Sequence, residues 1–186
     1  ITCYSWLRAI DKENKAYLDY AEQLEEKANI VASFQDSTCE TSRGRYAGVK
    51  KEMFVWAVGV LKSGYVSRMD DHYREMAIKA IKRCQLLGQV VELSFTEISE
   101  SWAAGSPNEP TEAFFSRPDS EKLEAWSAAL AVISDELNSS AWRLSERRFI
   151  NIFEHVLALN ETTLKLPSTV LIAQFAEAAF SALDPY

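Results

Sequence analysis

The chain has 186 residues, 47% of them hydrophobic, with 20 basic and 27 acidic side chains and a formal net charge of −7. That apolar content excludes a disordered chain, and 6 Gly with 5 Pro exclude a fibrous one. Three cysteines are too few for a disulfide scaffold, and the acidity argues against a broad nucleic-acid-binding face.

The longest apolar run, Met53 to Leu61, falls short of the roughly 18 residues a membrane span needs, so no membrane association is expected. The scattered set Cys3, Cys39 and Cys84 contains no C-x-x-C and fits reduced thiols in a cytoplasm. A Cys3–Cys39 bridge in a secreted or periplasmic protein is the alternative. The chain opens Ile1-Thr2-Cys3 without Met, which leaves room for a leader removed ahead of it.

In chain order, Leu7, Ile10, Asn14, Tyr17, Ala21, Leu24, Ala28 and Val31 recur at helical spacing and predict a long first helix. Asn14 interrupts the apolar stripe, as a register-setting residue in a helical seam does, or as one at a wet edge. Gln35 to Arg45 is polar and reads as a loop. A second helix is predicted from Tyr46 to Lys62. It is apolar nearly all round, so it belongs centrally or meets a partner on one face. Gly64 is expected to close it in a left-handed conformation.

A third helix is predicted from Ser67 or Asp70 to Leu93, with Asp70 and Asp71 in its first turn and a Glu75–Lys79 pair. Ser94 to Asp119, with Gly105 and three prolines, reads as a long connection. A fourth helix follows Pro118, capped by Asp119 or Ser120, on Leu123, Trp126, Leu130, Ile133 and Leu137. A fifth runs from about Ala141 to Leu159, and a sixth from Ser168 to Leu183, stopped by Asp184-Pro185.

These elements predict an all-α fold: about six amphipathic helices in an irregular bundle, with a long Pro-containing connection near residues 94–119. Residues 1–186 are expected to form a single helical domain, with a weak boundary at 99–118 and a two-lobed packing as the variant.

The chemistry is thinner. There is no P-loop, no G-x-G-x-x-G, no G-x-S-x-G and no paired E-x-x-H, so no cofactor is expected. Asp70, Asp71, His72 and Glu75 are close in sequence, but an acidic first turn suits the helix dipole, and no metal is expected there. The sequons at Asn138 and Asn160 carry little information.

Arg148 and His155 lie seven residues apart, two helical turns, and so share a face beside Arg147. This pair resembles the R-x4–6-H signature of the HEPN superfamily, all-α proteins that include metal-independent ribonucleases. The resemblance covers Arg148 to His155. It implies a catalytic Arg148–His155 pair, most often set in a cleft between two copies.

Glu22, Glu25 and Glu26 form an acidic strip suited to a basic partner, and Trp102, in the irregular segment, is a candidate interface anchor. With catalytic groups scarce, the leading expectation is a non-enzymatic acidic protein that binds a basic protein through Glu22, Glu25, Glu26 and Trp102. An immunity or inhibitor protein against a toxin or nuclease is the concrete form. Nucleic acid is not an expected partner, and a homodimer stays open. The alternatives are the HEPN-like ribonuclease and a bundle holding a small apolar ligand between the Met53–Leu61 helix and its neighbours.

Overall fold

The computed structural model describes residues 6, 9–11, 13–65, 69–104, 117–139 and 143–183. Among them the fold is all-α, with seven helices packed in a bundle and no strand. They are α1 (Lys15–Ser33), α2 (Ser42–Tyr46), α3 (Lys51–Gly64), α4 (Tyr73–Ala104), α5 (Ser120–Ser139), α6 (Glu146–Thr162) and α7 (Ser168–Phe180), with a 3-10 turn at Met69–Asp71.

The helix starts follow side-chain caps. Asn14, expected inside a helix that began near Leu7, is instead the cap of α1: its side chain accepts the Tyr17 N–H. An Asn offers the free end of a helix a better acceptor than it offers a helix interior, so the chain breaks there. Thr41 caps α2 within the segment read as a loop, by accepting the Gly44 N–H at 3.0 Å. Asp36 accepts the Ser42 N–H at 2.6 Å, which holds its carboxyl below the usual range. Gly48, at φ 77°, turns the chain between α2 and α3, so Tyr46 belongs to α2 and does not open the second long helix. Gly64 is not left-handed. It is the last helical residue, and Tyr65 follows in extended backbone with its N–H on the Leu61 carbonyl.

Asp119 caps α5 as expected, accepting the Lys122 N–H at 2.8 Å. α6 starts at Glu146, not Ala141, because Ser145 accepts the Arg148 N–H. Asn160 closes the junction to α7. Its amide nitrogen donates to the Leu166 carbonyl at 2.8 Å, and its oxygen accepts the Leu166 N–H at 3.0 Å. This sequon asparagine is therefore buried and committed.

α4 does not stop at Leu93, where its apolar pattern was expected to end, but bends at Ser94 (φ −118°, ψ 21°) and continues to Ala104. Ile98, buried beyond the bend, continues the apolar spacing of Val90 and Val91. Residues 105–116 of the expected connection, the Asp184-Pro185 stop, and Trp142 lie outside the described residues.

α4 is the central helix, packed against α7, α5 and α1 and more lightly against α6. One contiguous buried cluster runs from Ile30 and Phe34 through Tyr73, Met76, Ile81, Leu87 and Trp126 to Phe149, Phe153 and Phe175. Gly88 brings α5 close: a Cβ there would stand 2.8 Å from the Trp126 indole, whose N–H donates to the Cys84 carbonyl at 3.1 Å.

Candidate functional site

α3 is apolar all round but peripheral. Its inner side carries Phe54, whose ring meets Phe149, Phe153, Phe175 and Phe180 at centroid distances of 4.3 to 5.8 Å. Two ion pairs fix its long axis against α6, Lys51 Nζ to Glu154 Oε1 at 2.7 Å and Lys62 Nζ to Glu146 Oε2 at 2.6 Å. The helix is thus clamped at both ends, antiparallel to α6. What remains outward is Met53, Trp56 and Val60, spaced i, i+3, i+7 on one face. Trp56 is 72% exposed and Met53 56%. Glu52 and Gly59, also exposed, stand at the edge of this stripe.

The acidic strip has another fate. Glu26 ion-pairs with the buried Arg83 of α4, and Glu22 lies 3.8 Å from Lys82. Two of the three carboxylates therefore face cations of their own chain, and Glu25 alone of the three is exposed with no ion pair in the described residues. Both pairings follow from α1 lying along α4. The backbone of Trp102 is in the last turn of α4, and its side chain lies outside the described residues.

Arg148 and His155 share the exposed side of α6. Arg148 ion-pairs with Glu136 of α5 and borders a small cleft with Ile133, Leu137, Leu144 and Ile152, a lining that does not include His155. Arg147 faces a different, open cleft, with Lys62, Asp70 and Glu146. The three basic groups are on one helix but not in one cavity of the described residues. Asp70 sits in the 3-10 turn, and His72 packs its ring against Tyr65 at 5.5 Å. Among the described residues no three His, Cys, Asp or Glu side chains converge as metal ligands do.

No protein-family model matches the chain, and no curated protein or solved structure matches it either.

A polar centre missed by the sequence reading ties four helices together. Gln174, buried in α7, accepts from Arg83 Nε at 2.8 Å and donates to Ser33 Oγ and Tyr46 OH, each at 3.1 Å. Its signal was present: Gln174 and Arg83 are polar residues on otherwise apolar helical faces, three or four places from Leu171, Ala80 and Leu87. The cysteines differ in environment. Cys39 is free and exposed, whereas Cys84 is buried, and burial pushes its thiol up to about 12. Cys3 lies outside the described residues. No helix among the described residues is long and apolar enough to cross a membrane.

Proposed function

We propose that this chain is a protein-binding helical domain whose partner docks on the outward stripe of α3. The observation that carries the reading is the exposure of Met53, Trp56 and Val60 on a helix that is fixed to the core on its other side. A rigid exposed tryptophan flanked by aliphatic side chains is what an interface anchor requires, because little side-chain freedom is lost on binding. Scattered exposed apolar residues need no explanation, but three in register on one helical face do.

The partner we favour is a basic protein. A net charge of −7 raises its encounter rate, and the exposed Glu52 beside Trp56 offers it a carboxylate at the stripe. An inhibitor or immunity protein covering the cationic cleft of a toxin or nuclease has this combination. In this reading the anchor is Trp56, and the acidic strip contributes chiefly through Glu25 and the overall field.

The test compares the immobilised wild-type chain with a Trp56→Ala/Val60→Ser variant as bait in extract from the protein's own cells. The expected result is a basic protein held by wild type, lost from the variant, and released by wild type as salt rises. The same proteins retained by both baits, or retention indifferent to salt, removes the reading.

A further inference from the structure

We propose that the cleft where α1, α4 and α7 meet is a binding site for a small oxyanion, a phosphate or carboxylate group, seated on the Nη2 edge of Arg83. This cleft is built from helices other than α3, so the inference stands apart from the protein-docking surface. Its volume is about 150 Å³, and Glu22, Glu26, Lys79, Lys82, Arg83 and Glu177 are among its lining residues.

Arg83 is only 6% exposed, so most of its five N–H donors need partners inside the protein. Nε donates to Gln174, and Nη1 is taken by the side chain and carbonyl of Glu26. Nη2 has no acceptor within hydrogen-bond distance among the described residues. Its one charged neighbour, Glu177, stands off at 3.8 Å with a side chain 70% exposed. Nη2 reaches the cleft with no protein acceptor within hydrogen-bond distance, and with Nε and Nη1 already engaged it can give one N–H to an oxygen of an oxyanion.

The rim adds to that seat. Lys79 uses one donor on the Ser181 carbonyl at 3.0 Å, which leaves two for another acceptor. Lys82 is held only loosely, 3.8 Å from a Glu22 side chain that is 63% exposed. Glu26 is locked by Arg83 and does not compete. Glu22 and Glu177 are long, solvated and outside hydrogen-bond range, so both can turn to water when an anion enters. The cations belong to one helix, at positions i, i+3 and i+4 of α4, and so share one face.

The experiment is a titration of the whole chain with inorganic phosphate at low ionic strength, followed by the Arg83 Nε–H resonance and the amides of residues 79–83 and 178–181. Chloride at matched ionic strength is the reference, and acetate reports whether a carboxylate also serves. Saturable shifts confined to this cleft are expected with phosphate and not with chloride. Lys82→Gln is expected to weaken the affinity roughly fivefold, the effect of one solvated cation. Glu177→Gln is expected to tighten it by about threefold, because it removes the carboxylate that competes for Nη2. Both changes are at solvated positions and leave the fold intact. Absence of saturation, shifts spread over exposed lysines elsewhere, or weaker binding in Glu177→Gln would each overturn the proposal.

Discussion

Gly88 shows how much a single hydrogen atom decides in this core. Alanine would improve helix propensity in α4 by about 1 kcal/mol. Its methyl would meet the Trp126 indole at 2.8 Å, and Trp126 is fully buried with its N–H on the Cys84 carbonyl. Overpacking outweighs propensity, so Gly88→Ala should lower stability by about 1–3 kcal/mol in urea titration. Tyr73 is the opposite case. It is fully buried, and its hydroxyl has no partner among the described residues. Tyr73→Phe therefore loses no hydrogen bond, and stability should hold or rise by about 1 kcal/mol. Burial also raises the Tyr73 hydroxyl and the Cys84 thiol, each to about 12. Below pH 9 both states of the protein keep these protons, and stability is independent of them. Above it the unfolded thiol ionises near its ordinary value of 9.0 while the folded one does not. Stability should then fall as pH climbs through 9 toward 12, by at most about 1.4 kcal/mol per pH unit for Cys84. Unfolding midpoints at pH 8, 9 and 10 check this, and Cys84→Ala should flatten the loss between 9 and 10.

At the scale of elements, polar side chains set the ends of the helices and the junctions between them. Asn160 spans the turn from α6 to α7 with both amide atoms, and Gln174 joins α7 to α1, α2 and α4. Gln174→Leu would strand Arg83 Nε and take a donor from the Ser33 and Tyr46 hydroxyls, which still donate to the Ile30 and Ser33 carbonyls, and should cost about 2–4 kcal/mol by chemical denaturation. The same residues explain what was legible beforehand. Apolar spacing such as Leu123, Trp126, Leu130 and Leu137 identified the helix bodies and the all-α class. The start at Asn14, the short α2 behind Thr41 and the start at Ser145 were written in caps that lie outside the apolar stripe. The continuation of α4 past Ser94 was hidden by a polar residue at a bend, although Ile98 kept the helical spacing. The acidic strip was legible as a pattern, but which cations it would meet depended on α1 lying along α4, a tertiary fact without a local signal.

For the whole molecule, the position of α3 matters most. A helix apolar on all sides was expected to lie centrally or to meet a partner. The structure puts it at the periphery, with Phe54 turned in and Trp56 turned out. The two lysine–glutamate pairs to α6 lie at the surface and contribute little stability each, so the buried Phe54 and Val58 carry the attachment. Phe54→Ala should loosen α3 and cost about 3–5 kcal/mol, whereas Trp56→Ala should leave stability within about 0.5 kcal/mol of wild type in thermal unfolding. That contrast separates a side chain needed for folding from one available for contact. The most direct measurement replaces Trp56 with a photo-crosslinking amino acid and irradiates the protein in its own cells, with the exposed Glu124 of α5 as the control position. A discrete covalent adduct with a second protein formed from position 56, and absent from 124, is the outcome this account requires. Equal labelling at both positions, or none at 56, would contradict it.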